Sequence, residues 1–338
     1  MSRHNTVETS AFKEETIFGT FTRMALKLLI LPRTDPKLRN DYESQFTESS
    51  RNVEVTLSKL LALVLQKPQF AWQTLVTTYD WLTNYHVTQS KTEAGEHYII
   101  YTQHDHKIPF QPDEDIMYSY MVTQAAYFAE ILSKLVTPIE FKKIAEYFFE
   151  ANRLGTNVYT KFQTVMPRFT KHNRLSMAAV QYLDKPLNCC PSLHITYSLL
   201  IDNIASKYVL ERGEKNDFED LRYSTLRMFN SVLYTKQHAL SDVAYGMLCA
   251  KKAYNKYFAE AFDDLSDQFP KMQQTHKDID YGEIIRIYKE ARLKDSQGMG
   301  FTENIQTYLV AGGFPVMRMN DRVNHVYFDT EKKVLIDF

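Results

Sequence analysis

The chain of 338 residues is short of cysteine, glycine and proline, has almost no net charge and contains no long apolar run. Each shortage removes a class of protein. Three cysteines, Cys189, Cys190 and Cys249, are too few for a disulfide framework, and sequence neighbours rarely bridge one another. A reducing, cytoplasmic setting fits them. Ten glycines and eleven prolines leave little material for many tight turns and favour long helices. A net charge of −1 provides no general basic field, so nucleic acid is not an expected partner. The most apolar stretches, Met24–Leu31 and Leu60–Leu65, fall well below the roughly 18 residues that a spanning helix needs. Met1 to Glu15 is polar with mixed charges and does not read as a signal peptide.

What is present is the composition of a folded globular protein, 44% hydrophobic and 24% charged, with 22 Tyr and 21 Phe to fill a core. The expected fold is mainly α, with a small mixed C-terminal segment. Residues 1–109 read as an N-terminal helical region packed on the core, 110–265 as the helical core, and 266–338 as a C-terminal helix and β-hairpin extension. The first 15 residues read as a loose tail. Helices are expected over Phe18–Leu31, Asn52–Gln66 and Phe70–Tyr85, with a short strand near His97–Gln103 and a helix from about Glu114 to Val136. Thr137, Pro138 and Glu140 form a capping box with proline at the first helical position, and Gly155 is placed to stop that helix after Leu154. Ser192–Tyr208, Phe218 to about Leu233, about Gln237–Phe262 and Ile279–Leu293 complete the helices. A mixed segment follows Gly298, then a hairpin of Val323–Phe328 and Lys333–Asp337.

Two short stretches carry chemistry. Pro191-Ser192-Leu193-His194 opens an apolar helix. Ser192 is there a good N-cap, and free amides at a positive helix end suit a phosphate. His238 and Asp242 stand at i and i+4, where a carboxylate one turn away can orient an imidazole. Lys161 and Arg168 add positive charge upstream. Other readings fail or weaken on spacing. A cysteine phosphatase needs an arginine six residues after its nucleophile, but Ile195 and Thr196 occupy those positions. His97, His104, Asp105 and His106 lack a helical metal motif and read as a polar loop. Asp113-Glu114-Asp115 resembles a cluster for magnesium diphosphate, but just after Pro112 it is better explained as acidic residues in a helix's first turn.

In order, Lys161-x6-Arg168, Pro191-Ser-x-His194 and Ser231-x6-His238-x3-Asp242 resemble the three motifs of the type-2 phosphatidic acid phosphatase and vanadium haloperoxidase superfamily. The wording Thr235-Lys236-Gln237-His238 is similar to an inositol phosphorylceramide synthase-like branch, and Gly246 falls where the family often has glycine. The resemblance covers Lys161 to Ala250 and implies a helical bundle of that superfamily's kind. It also implies roles: His238 as nucleophile forming a phosphohistidine, Asp242 as its orienting partner, and His194 as general acid. Lys161, Arg168, Ser192 and the Leu193 amide would make the phosphate cradle. The chain departs from the pattern at Leu193, where the family has glycine, at Phe169, where it has proline, and at Val232, where it has arginine. Lys236 can replace that arginine's charge but not its fork geometry.

The implied activity is that of a soluble, metal-independent phosphatase or phosphotransferase. Its substrate would be a phosphomonoester or diphosphate, lipid and isoprenoid esters included. No cofactor is expected, vanadate entering as an inhibitor or, in the peroxidase branch, as prosthetic group. Three rivals are a vanadate-dependent peroxidase, a prenyl-diphosphate lyase or cyclase built on Asp113–Asp115, and a helical interaction protein with a decayed site. Peripheral membrane contact through Phe18–Leu31, with Arg23 and Lys27 among apolar residues, is the one membrane role the sequence offers. Core packing also accounts for that stretch.

Overall fold

The computed structural model describes residues 6–8, 65–90, 97–167, 169, 172–317, 325–327 and 335–337. The helices expected over Phe18–Leu31 and Asn52–Gln66 lie outside or almost outside these residues. The described chain is mainly helical. It runs β1 (Thr6–Glu8), α1 (Pro68–Ser90), β2 (His97–Ile99), α2 (Gln103–Lys107), α3 (Asp115–Ser119), α4 (Met121–Leu135) and α5 (Pro138–Tyr159). Then come β3 (Gln163–Val165), α6 (Leu175–Leu183), α7 (Leu193–Tyr208), α8 (Lys215–Tyr234) and α9 (Leu240–Asn255). The chain closes with α10 (Phe269–Thr275), α11 (Tyr281–Ser296), α12 (Phe301–Ala311), β4 (Val316–Met317), β5 (His325–Tyr327) and β6 (Leu335–Asp337).

Helix α7 is the axis of the bundle. Every residue from Leu193 to Ala205 is buried, because α4, α5, α8 and α9 pack around it. Its buried polar side chains are bonded within the bundle: Ser198 Oγ donates to Gln124 Oε1 at 3.1 Å, and Asp202 accepts from Arg222 at 2.8 Å. Helix α1 lies on α5, α11 covers α9, and α12 touches α5 and α11. One hydrophobic cluster extends from Phe70 to Leu309, across both divisions drawn at 109/110 and 265/266. Two small sheets accompany the helices. In one, β2 pairs in parallel with β3 and antiparallel with β4. In the other, β5 pairs antiparallel with β6 and with β1.

Several boundaries follow the sequence signals. Thr137 Oγ1 accepts from the Glu140 amide, and Glu140 accepts from the Thr137 amide at 2.7 Å, with Pro138 opening the helix. The hairpin near the C-terminus is present with Val326 opposite Ile336. Other boundaries differ. Gly155 does not end α5, which continues to Tyr159. A Cβ at residue 155 would stand 3.3 Å from Leu193 Cδ2, so this glycine serves close approach between α5 and α7 rather than a left-handed stop. The helix expected over 114–136 divides at Tyr120, whose amide bonds to Met117 three residues back and tightens the turn. Part of the expected loose tail, Thr6–Glu8, is a strand on β5. The segment after Gly298 forms α12, which buries Phe301, Asn304, Ile305 and Leu309 at helical spacing. Among the described residues, no helix is long and apolar enough to cross a membrane.

Candidate active site

The two sequence stretches meet because the N-terminal turns of α7 and α9 lie side by side. The Ser192 amide donates to the Asp242 carbonyl at 3.0 Å, and Thr196 Oγ1 donates to the Gly246 carbonyl at 3.1 Å. Gly246 makes this possible. A Cβ there would stand 2.7 Å from the Ser192 carbonyl oxygen and 3.1 Å from Ile195 Cβ. Ser192 caps α7 through its side chain, with Oγ 3.5 Å from the Ile195 amide, so the cap itself is long. Leu193 and His194 form the first turn, at the positive end of the helix dipole.

His238 is not on a helix face, contrary to the i, i+4 ladder read from sequence. Helix α9 begins at Leu240, not near Gln237. The chain turns sharply at Lys236, whose φ is +54°, and Ala239 is extended. His238 therefore sits in the turn before the helix, and the Val232 carbonyl accepts both the Gln237 and His238 amides at 3.1 Å. Asp242 reaches back into this turn, where Oδ2 accepts from the Ala239 amide at 2.8 Å and stands 3.4 Å from His238 Nδ1. The nearer partner of Nδ1 is the Cys189 carbonyl oxygen, at 3.0 Å. Nδ1 thus has two neighbours, the Cys189 carbonyl oxygen and, slightly farther, the Asp242 carboxylate.

This geometry sets the tautomer. A carbonyl oxygen only accepts, so Nδ1 carries the proton and neutral His238 presents a bare lone pair at Nε2. Nε2 is buried and has no hydrogen-bond partner among the described residues. The residue is 4% exposed. The His194 ring lies 5.6 Å away, centroid to centroid, at 61°. A buried, unpartnered imidazole nitrogen on one ring, with a second histidine ring close by, is an arrangement suited to attack by one ring and proton donation by the other. Burial raises the Asp242 carboxyl above its usual range, with His238 and the Ala239 amide opposing. Burial, then the Asp242 charge beside it, push the Cys190 thiol well up, so this cysteine stays protonated and unreactive.

The remaining candidates are placed differently. Lys236 is buried, its ammonium donating to the Asp105 carbonyl at 2.5 Å and lying over the Tyr101 and Phe169 rings at 5.6 and 5.7 Å. Burial lowers its pKa to about 8, against the opposing pull of Asp105 and Asp278. The cation beside the histidine turn is therefore committed to a protein carbonyl. Val232 is fully buried in the core. Lys161 is exposed on the turn after α5, outside the buried cluster. Arg168 lies outside the described residues.

Two groups of acidic and histidine residues weighed as metal ligands are otherwise engaged. Arg174 pairs with Asp113 at 3.0 Å and Asp115 at 2.9 Å, and Arg227 pairs with Glu114 at 2.9 Å. His104 pairs with Asp280 at 2.8 Å, and His97 is buried in β2. Among the described residues no group of three or more His, Cys, Asp or Glu is arranged to hold a metal ion.

Sequence reasoning missed three contributors. The Cys189 carbonyl acts through its backbone, which residue type cannot reveal. Tyr118 stacks on His194 with ring centroids 4.1 Å apart. Asp105 clamps both sides of the His238 turn: its carbonyl takes Lys236, and its carboxylate accepts from the Leu240 amide at 2.8 Å. No spacing rule links residues that are more than 100 positions apart in sequence. Comparison with known proteins does not extend the picture: no family model, no curated protein and no solved structure matches this chain.

Proposed function

We propose that the chain is a metal-independent phosphatase or phosphotransferase with a histidine nucleophile, on a helical bundle of the type-2 phosphatidic acid phosphatase kind. One observation carries the reading: His238 has its Nδ1 proton tied to the Cys189 carbonyl, leaving a buried, unpartnered Nε2 beside His194. The second and third sequence motifs and the α7 N-terminus support it. The substrate class is a phosphomonoester or diphosphate, with lipid and isoprenoid esters included.

In the proposed reaction, the Nε2 lone pair forms a bond to phosphorus as the bond from phosphorus to the leaving oxygen breaks. The proton of the His194 imidazolium passes to that oxygen, which departs as an alcohol. Water or an acceptor alcohol then attacks phosphorus, its proton goes to neutral His194, and the N–P bond breaks to restore His238. The positive N-terminal end of α7 favours the equatorial oxygens throughout. The arginine pairing of Asp113, Glu114 and Asp115 weighs against their use as a magnesium cluster for a prenyl-diphosphate lyase.

The test is hydrolysis of an aryl phosphate and a prenyl diphosphate in EDTA by wild type and His238→Ala. Activity that survives EDTA and disappears in the variant, with an acid-labile phosphoenzyme in wild type alone, is the expected result. Equal activity in both proteins refutes the histidine nucleophile. Halide oxidation by vanadate-loaded protein is the result that would favour a peroxidase instead.

A further inference from the structure

We propose that Tyr118 is a positioning residue for His194, and that its phenol is anchored for this purpose by the buried carboxylate of Asp184. The inference rests on the reading of His194 as the proton donor and deepens it.

The Tyr118 ring, on α3, lies against the His194 imidazole at a centroid separation of 4.1 Å and an interplanar angle of 30°. The rotation of an imidazole about its last side-chain torsion is broad by itself. A donor that must deliver its proton along one line to a departing oxygen needs that rotation restricted, and an aromatic face stacked on the ring does so. Stacking alone would leave the tyrosine free to slide. Its hydroxyl is fixed instead, donating to Asp184 Oδ2 at 2.5 Å. The other oxygen, Oδ1, accepts from Tyr85 hydroxyl at 2.8 Å and from Gln89 Nε2 at 3.1 Å, both on α1. Asp184 is 3% exposed. A buried carboxylate is costly without such donors, and here they come from two separate helices, α1 and α3, converging just after α6. The chain thus runs from a rigid packed helix, through a charge-assisted bond, to the plane of the histidine that faces His238. Tyr118 acts in this proposal through the His194 ring and need not touch substrate.

This role has a signature that a general stability role lacks. Proton donation matters most when the leaving oxygen is a poor leaving group, such as an alkoxide, and least for a nitrophenolate. Tyr118→Leu, Tyr118→Phe and His194→Ala would be assayed in EDTA, as full-length chains, on 4-nitrophenyl phosphate and on an alkyl phosphate. With Tyr118→Leu, kcat/KM should fall about 10- to 100-fold on the alkyl ester and less than about threefold on the nitrophenyl ester. Tyr118→Phe keeps the stack and loses the anchor. Its loss should show the same selectivity at about three- to tenfold, and His194→Ala should show it most strongly. Equal losses on both esters, or an unchanged rate on the alkyl ester, would overturn the inference. If circular dichroism shows Tyr118→Leu to be unfolded, Tyr118→Phe decides alone by the same criterion. An inactive wild type, or a His238→Ala protein as active as wild type, would overturn the parent reading and this one with it. That result needs no Tyr118 variant, so the two failures are separable.

Discussion

Replacing Gly246 by alanine opposes two effects whose sizes can be compared. Gly246 is inside α9, where alanine is favoured over glycine by about 1 kcal/mol through helix propensity. The new methyl would stand 2.7 Å from the Ser192 carbonyl oxygen and 3.1 Å from Ile195 Cβ. The first neighbour is backbone, and Ser192 is itself bonded to the Asp242 carbonyl, so neither helix can yield by rotating a side chain. Overpacking of this kind costs about 1–3 kcal/mol. Steric cost offsets the helix gain, and the net loss should be up to about 2 kcal/mol, a fall of at most a few degrees in melting temperature. The separation between α7 and α9 also sets the separation of His194 from His238, and a displacement of about 1 Å in such a site costs on the order of 100-fold in rate. Thermal melting by circular dichroism, with EDTA-resistant phosphatase activity alongside, measures both. Gly155→Ala is the control. Its Cβ would meet side-chain atoms of Leu193 and Tyr159 at 3.3 Å rather than backbone, so its stability should stay within about 1 kcal/mol of wild type. A Gly246→Ala protein more stable than wild type, with unchanged activity, would refute the close-contact argument.

Two further outcomes follow from buried charges. Lys236 is protonated in both folded and unfolded chains below pH 8, so there its burial opposes folding in full. The folded form releases the proton first as pH rises through about 8, toward an unfolded value near 10.5, and the penalty is relieved across that window. Wild type should therefore gain about 1 kcal/mol on Lys236→Met between pH 7 and 9 in denaturant titrations. A pH-independent difference would show that the ammonium is not held as described. Asp105→Ala removes the acceptor for the Leu240 and Thr102 amides. The Leu240 donor is buried and the Thr102 donor partly so; at about 1–3 kcal/mol for each left unpaired, urea unfolding should reveal a loss of about 2–6 kcal/mol. A loss below about 1 kcal/mol would mean that water replaces the clamp.

Much of the helical framework could be read locally. The Thr137 capping box, the Ser192 cap and the apolar run behind it are properties of a few adjacent residues, and their outcome did not depend on the rest of the chain. The pairing of the two histidine stretches was also legible, because three motifs in one order imply one site. What spacing misjudged was the local backbone at that site. His238 and Asp242 looked like a helical pair, yet the left-handed turn at Lys236 and the Asp242 bond to the Ala239 amide delay the helix start to Leu240. Gly155 looked like a stop and became a contact, since only the α5–α7 crossing decides whether a glycine ends a helix or lets another approach.

The sequence by itself determined which residues bring imidazole, carboxylate and helix-end amides into one neighbourhood, since residue type carries that chemistry. Tertiary structure alone decided how they act. It chose the Cys189 carbonyl over Asp242 as the nearer partner of His238, engaged Lys236 with Asp105, and laid Tyr118 against His194. Those choices depend on distances of a few ångströms between segments tens to more than 100 residues apart, and nothing in local residue order encodes such distances.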